Sequence, residues 1–216
     1  GVRIFGHHPV GNAPQGIYCV NGQCSQCTVL VDSVPVKACM TAVRPGMRIT
    51  SCEGIPALPP DDRRPDFSEI ETIETEVLVV GGGPAGINTA AELGELGIET
   101  LLVDDKSKPG GKLTLQTHPF FGSREDCYAG TRGIEIADIL TDRIDSLDSV
   151  RVMGSTSAVG VFHDRAVGLY NQGRYLLVKP RAAVVATGAR ERSLAFPGCD
   201  LPGVYGAGAF QTLLNR

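Results

Sequence analysis

The chain has 216 residues, room for one large domain or two small ones, and its 42% hydrophobic and 20% charged residues are the balance of a folded globular protein rather than a disordered one. The net charge of −4 excludes the basic stripe that a nucleic-acid surface needs. No apolar run approaches the roughly 20 residues that cross a bilayer, and no secretory signal pattern is present, so a cytoplasmic protein without a membrane span is expected.

The chain opens at Gly1 without a methionine and stops at Arg216 inside an apolar, helix-like pattern that has no cap, so a piece of a longer polypeptide is expected. Four of the seven cysteines cluster near the front: Cys19, Cys24, Cys27 and Cys39, spaced C-x4-C-x2-C-x11-C. Three chemistries compete for this pattern. Disulfides suit small secreted domains. A zinc ribbon pairs two C-x2-C knuckles, and only one occurs here. A plant-type [2Fe–2S] site uses C-x4-C-x2-C and a distant fourth cysteine, which is the spacing found. The small or polar Gly22, Gln23 and Ser25 let a loop wrap a cluster with its N–H groups turned towards sulfur.

Residues 28–32 and 34–38 form short strand patterns with Asp32 and Ser33 at the turn, a hairpin that would bring Cys39 back beside Cys27. Residues 16–55 resemble the β-grasp ferredoxin domain of xanthine dehydrogenase-type and carbon monoxide dehydrogenase-type small subunits. The likeness rests on the C-x-x-C-T-V-L-V-D run, the V-K-x-C that ends at Cys39, and the later Glu53-Gly54 dipeptide. It implies the four clustered cysteines as metal ligands and leaves Cys52 out. Such domains begin with a hairpin and a helix before the first cysteine. Only 18 residues precede Cys19, so a partial β-grasp is expected.

Prolines at 56, 59, 60 and 65, mixed with charges, break regular structure and mark a linker. The expected organisation is a ferredoxin-like domain over 1–55, a linker over 56–75 and a second domain over 76–216.

The second domain opens on a β-branched apolar run at 77–80, read as a buried parallel strand. Gly81, Gly83 and Gly86 follow with G-x-G-x-x-G spacing, and a helix is predicted over 84–96 with Pro84 in its first turn. Gly81 allows the tight turn, Gly83 the approach of a pyrophosphate, and Gly86 close packing of helix on strand. The helix N-terminus offers free N–H groups to phosphate. A second strand, 99–103, ends at Asp104, 18 residues after Gly86, where a carboxylate should meet ribose hydroxyls.

Further on, Lys108 to Leu113 form a glycine loop. Apolar residues at Ile134, Ala137, Leu140, Ile144 and Leu147 predict a helix over 131–147. Strands are predicted at 157–163, 166–170 and 174–179 as an antiparallel meander, and a buried strand at 182–189 ends in Thr187 and Gly188.

This order is similar to the FAD-binding half of glutathione reductase-like and thioredoxin reductase-like flavoproteins, over about residues 76–216. The resemblance implies a Rossmann-like fold with a three-stranded meander. It also implies a cofactor-binding set of Gly81, Gly83, Pro84, Ala85, Gly86, Asp104, Asp105, Gly111, Lys112, Leu113, Val159, Ala186, Thr187 and Gly188. Two departures stand out. There is no redox-active C-x-x-C in this half, since Cys127 and Cys199 stand alone, which disfavours a thiol–disulfide mechanism. A second G-x-G-x-x-G for NAD(P) is also absent from the chain, so NAD(P) is a candidate cofactor only for a longer protein.

A ferredoxin domain ahead of an FAD domain resembles the large subunits of heteromeric sarcosine oxidase, opine oxidase, dye-linked proline dehydrogenase and hydrogen cyanide synthase. The stretches at 6–9, 110–118, 125–133 and 196–208 carry this closer likeness. It implies an FAD- and [2Fe–2S]-dependent oxidoreductase subunit. Such a polypeptide would take electrons from an amine- or imino-acid-type small molecule and work beside other subunits. The alternatives are an NAD(P)H-oxidising or pure electron-transfer subunit, and a non-catalytic structural subunit. His7 and His8 are read as loop residues, because four cysteines already complete the metal site. His118 is a candidate proton donor or a packed loop residue. Arg190 to Arg192 are a candidate phosphate contact or a solvated charge run. No catalytic acid or base is assigned.

Overall fold

The computed structural model describes residues 2–57, 60, 62, 64, 70–192 and 194–214. They form two compact units, one of the described residues up to Arg64 together with those from Arg190 on, the other of those between, up to Ala189.

The front unit starts with a two-residue hairpin, β1 (Gly6–His7) against β2 (Pro14–Gln15). The cysteine loop follows. Next come β3 (Thr28–Val31) and β4 (Val34–Lys37), paired antiparallel as expected. Asp32 and Ser33 both have positive φ, 50° and 72°, the conformation that matches the twist of a two-residue hairpin. Asp32 also accepts the Arg48 N–H on its carboxylate at 3.1 Å. This leads β5 (Ile49–Ser51) onto the other edge of β3, for a sheet order β4-β3-β5. Cys39 lies in a short 3-10 helix, Ala38–Met40, directly after the hairpin.

Of the expected linker, residues 58, 59, 61, 63 and 65–69 lie outside the described residues, and its described residues up to Ile70 carry no helix or strand. The second unit begins with β6 (Glu71–Val80), six residues earlier than the apolar run suggested. It continues through α1 (Pro84–Glu95), β7 (Thr100–Val103), a 3-10 helix (Gly111–Leu115), the one-turn α2 (Arg124–Cys127) and α3 (Gly133–Asp145). It ends with β8 (Val150–Met153), β9 (Thr156–Val161), β10 (Val167–Asn171) and β11 (Arg174–Val185). The six strands make one sheet in the order β8-β7-β6-β11-β10-β9, parallel from β8 to β11 and antiparallel from β11 to β9.

Alternation along the central strands divides the core in two. Val79 and Leu102 point to the face covered by Ile87, Ala90 and Ala91 of α1 and by Ile136, Ala137, Leu140 and Ile144 of α3. Leu78, Leu101 and Val103 point to the other face, where Val167, Leu169, Leu176 and Val178 of the meander pack. All four residues of β7 are buried, as a parallel strand covered on both faces requires.

Three expectations need correction. The buried stripe of α3 runs through Ile136, not Ile134, which is 39% exposed; residues 136, 137, 140 and 144 share the face that meets α1. The strand β8 escaped the sequence pattern because it is four residues long and broken by the exposed Arg151. The strands predicted at 174–179 and 182–189 are one strand, β11, which passes through Pro180 and stops at Val185. β10 leaves β11 after Val178, while β6 stays paired with it to Val185. From there β11 has an open edge among the described residues, where the missing N–H of a proline is tolerated. For the same reason its last residues are exposed rather than buried, Val185 to 72%.

The described residues from Arg190 on group with the front unit. α4 (Ala207–Leu214) is preceded by Gly206, whose N–H donates to the Tyr18 carbonyl at 3.4 Å. A Cβ on Gly16 would lie 2.9 Å from Pro202 Cα. These contacts hold the segment to the front unit. Residues 215 and 216 of the expected terminal helix lie outside the described residues.

Leu102 is fully buried between β-sheet and helices. Leu102→Ala should cost about 2–5 kcal/mol of unfolding free energy, whereas Val185→Ala should stay within about 0.5 kcal/mol. Urea denaturation followed by circular dichroism measures both.

Candidate functional site

Around the turn after β6, backbone meets backbone. Gly81 has φ +107°, and a Cβ there would lie 2.4 Å from the Ala186 carbonyl oxygen. The turn is tied on both sides, since Gly81 N–H donates to the Val103 carbonyl and Ala186 N–H to the Val80 carbonyl, each at 2.8 Å. A Cβ on Gly86 would lie 1.8 Å from the Gly81 oxygen, so α1 can cross the turn only with glycine at that position. Gly111, with φ +55°, would put a Cβ 2.7 Å from the Gly83 Cα. The two glycine loops therefore face each other without side chains, and the Gly110 N–H donates to the Gly82 carbonyl at 2.7 Å.

Gly83 is the N-cap of α1, where no side chain caps the helix and no acid stands in the first turn. Pro84 and Ala85 are exposed at this end. The first-turn N–H groups of a helix have no intrahelical partner, so the loop is a cradle for an anion. A Cβ on Gly83 would enter open space, with Gly111 Cα, 4.0 Å away, as its nearest neighbour. The residues fit a nucleotide pyrophosphate.

Asp104 is only 7% exposed. Its Oδ2 accepts the Gly82 N–H at 2.6 Å and its Oδ1 the Lys106 N–H at 2.8 Å. Both oxygens are thus engaged by backbone, and the carboxylate ties the glycine turn to the end of β7. The neighbouring Asp105 is exposed, with Lys106 as its ion-pair partner at 2.5 Å. Gly82, the middle glycine, has no role in the G-x-G-x-x-G spacing. The signal for it is the acid at the end of the adjacent strand, which a buried N–H can recruit as readily as a ribose can. Of the other expected residues, Leu113 is buried beneath the second loop and Lys112 is exposed above it. Ala186 is half-buried against the turn, and Thr187 and Gly188 are exposed beside it. Val159 lies exposed on β9, away from the glycine loops.

The four cysteines of the front unit come as two pairs. Cys19 and Cys24 share a thiol contact, as do Cys27 and Cys39. Positive φ at Val20, Gly22 and Ser25 curls the loop. The curl turns the N–H groups of Gln23 and Cys24 onto Cys19 Sγ, at 3.2 and 3.3 Å. Burial alone would push the Cys19 thiol up, but N–H groups from Asn21, Cys24 and Gln23 hold it below the ordinary thiol value. Burial raises Cys24, and burial with the adjacent Cys27 pushes Cys39 up to about 11. Among the described residues no three ligating side chains gather about one ion-sized point. Two thiol pairs with N–H groups aimed at sulfur fit a binuclear [2Fe–2S] centre. Cys52 is buried apart from the pairs, and Cys127 is exposed in α2.

The histidines lie elsewhere. His7 Nδ1 is 3.4 Å from Glu53, and His8 Nδ1 engages the Val10 backbone. His118 stacks on Phe120 with centroids 5.5 Å apart. Glu191 accepts the Ala207 and Gly208 N–H groups at the start of α4, so this part of the 190–192 charge run is structural.

Removing the Asp104 carboxylate would leave the buried Gly82 N–H unpaired and release the N–H of the exposed Lys106. Asp104→Ala should therefore lower stability by about 1–3 kcal/mol, while Asp105→Ala should change it by no more than about 0.5 kcal/mol. Paired urea titrations distinguish the two.

Residues 1–54 match the 2Fe-2S iron–sulfur cluster binding domain family, and residues 75–212 match the pyridine nucleotide-disulphide oxidoreductase family. Among curated relatives, the alpha chain of sarcosine oxidase from Rhizobium meliloti (strain 1021) is 31% identical over 70% of this chain and 16% of its own length. An opine oxidase subunit of Agrobacterium tumefaciens (strain Ach5) is 31% identical over 65% of this chain and 29% of its own length. Hydrogen cyanide synthase subunit HcnB of Pseudomonas aeruginosa is 32% identical over 62% of this chain and 29% of its own length. The chain thus spans less than a third of the length of these relatives. A crystal structure of L-proline dehydrogenase from P. horikoshii shares the fold, with a TM-score of 0.76 at 22% identity over 98% of this chain and 40% of that one. With the glycine cradle and the paired thiols inside the two matched segments, the chain belongs to the pyridine nucleotide-disulphide oxidoreductase family, preceded by an iron–sulfur domain, and its cofactors are FAD and a [2Fe–2S] cluster.

Proposed function

We propose that this chain is the cofactor-carrying part of an oxidoreductase subunit that moves electrons from an amine- or imino-acid-type substrate through flavin to an iron–sulfur cluster. The observation that carries the reading is one chain with both an uncapped glycine cradle and two thiol pairs. Bound FAD would supply two-electron oxidation, and a bound [2Fe–2S] cluster a one-electron outlet.

The chain's own residues divide the work. The start of α1, with Gly81, Gly83, Pro84, Ala85 and Gly86, holds the pyrophosphate, and Gly111 keeps the facing loop clear of it. Asp105 takes the ribose, while Asp104 holds the turn in shape. Lys112, Leu113, Val159 and the turn at Ala186, Thr187 and Gly188 complete the nucleotide contacts. Cys19, Cys24, Cys27 and Cys39 ligate the irons. The domain limits proposed for this division are 1–55 and 76–216, with the segment from Arg190 on packed against the front unit.

Sarcosine, opines and L-proline, named in three of the similar proteins, are all secondary amino acids. That shared chemistry motivates an N-substituted amino acid as the substrate class. The relatives are named as subunits, which motivates partner subunits for this chain. No described helix is long and apolar enough to cross a membrane. The reading puts the protein in the cytoplasm, where thiols stay reduced and open to iron. A second reading, oxidation of NAD(P)H with the substrate handled on a partner, is favoured by the pyridine nucleotide family match.

Iron and acid-labile sulfide should be present at about two each per chain of the purified full-length protein. Cys39→Ser should lose most of the iron, and Cys52→Ser should keep it. Zinc without sulfide would refute the cluster. Gly83→Val should purify without flavin, because its side chain fills the cradle, and Asp105→Ala should weaken FAD binding by about 1.5–3 kcal/mol. Turnover of sarcosine, L-proline and opines with an artificial acceptor should exceed turnover of NADH; the opposite ranking selects the second reading.

A further inference from the structure

Lys37 is the last residue of β4, two positions before Cys39, and its side chain is half-buried. Its ammonium has a partner inside the front unit. It donates to the carbonyl oxygen of Gly22, inside the cysteine loop. That carbonyl and the Gln23 N–H belong to one peptide unit, and the Gln23 N–H donates to Cys19 Sγ at 3.2 Å. A continuous chain therefore runs from ammonium to carbonyl, through the peptide, to N–H and sulfur. Among the described residues Lys37 forms no ion pair, so its charge is not neutralised by a nearby carboxylate. Gly22 packs closely against the residues around Cys39. A Cβ there would meet Met40 Cγ at 2.8 Å, and its own N–H reaches the Cys39 thiol.

We propose that Lys37 is a positioning residue that raises the reduction potential of the cluster, by polarising the Gly22–Gln23 peptide against Cys19 and by adding a fixed positive charge beside the thiolates. The proposal rests on the cysteine assignment given above. Its physics is general. Hydrogen bonds in series strengthen one another in a low-dielectric loop. N–H groups on cluster sulfurs and a nearby cation both stabilise the extra negative charge that reduction brings. A lysine in this place makes the cluster a better acceptor for electrons leaving a flavin.

The test is an EPR-monitored redox titration of the full-length protein, with iron and sulfide determined on each sample. Lys37→Met should keep both contents and show a lower midpoint potential. Lys37→Gln, which keeps a donor but no charge, should fall between Lys37→Met and wild type. Lys37→Arg should stay near wild type. An unchanged potential in Lys37→Met with a full cluster would overturn the proposal. So would loss of the cluster from both neutral variants, which would make Lys37 an assembly determinant instead. Wild-type protein without labile sulfide would take down the cysteine assignment and this proposal together, an outcome the metal analysis separates from the others.

Discussion

The second unit depends on how closely backbone can approach backbone at the end of β6. The Gly81 oxygen occupies the space that a Cβ at position 86 would need, and the Ala186 carbonyl occupies the space a Cβ at 81 would need. Three elements, β6, α1 and the turn after β11, converge on a few atoms with no side chain between them. The buried Asp104 carboxylate then fixes the remaining freedom by accepting the Gly82 N–H. This economy leaves the α1 N-terminus open as a recess, because nothing else in the turn is large enough to fill it. The anion cradle is thus a by-product of tight packing as much as a device for binding.

The two cofactor regions solve one problem by related means. Negative charge, on phosphate in one and on thiolate and sulfide in the other, would meet backbone N–H groups: those at the start of α1, and those of Gln23 and Cys24 that already point at Cys19 Sγ. Glycines and left-handed residues turn those groups inward, at Gly83 and Gly111 in one unit and at Val20, Gly22 and Ser25 in the other. Fixed dipoles of this kind need no reorganisation when charge changes, which suits a protein whose cofactors change charge in use.

Much of this was legible in the residues. The G-x-G-x-x-G turn and the C-x4-C-x2-C spacing are local patterns in which chemistry dictates both residue type and distance, and they led to the two regions directly. The hairpin carrying Cys39 was legible for the same reason, through its turn at Asp32 and Ser33. What escaped was non-local. That both Asp104 oxygens accept backbone N–H groups, from Gly82 and Lys106, is set by the neighbouring turn, and alternation along a strand end cannot show it. The fusion of two predicted strands through Pro180 depends on where β10 lets go. The placement of residues 190–214 depends on Tyr18 and Gly16, which lie at the opposite end of the chain. The stripe on α3 shifted from Ile134 to Ile136 because the position of α1, not the periodicity, selects the buried face.

The long-range contact between Tyr18 and Gly206 has a kinetic consequence. The front unit is discontinuous, since the two residues meet only after the whole second unit has been made. At ordinary rates of ribosomal synthesis, about 5–20 residues per second, roughly 10–40 s separate the emergence of the two. The second unit has all its strands and helices by Val185 and can close first, although it comes later in the chain. For that interval the cysteine loop is on a scaffold that still lacks its last segment.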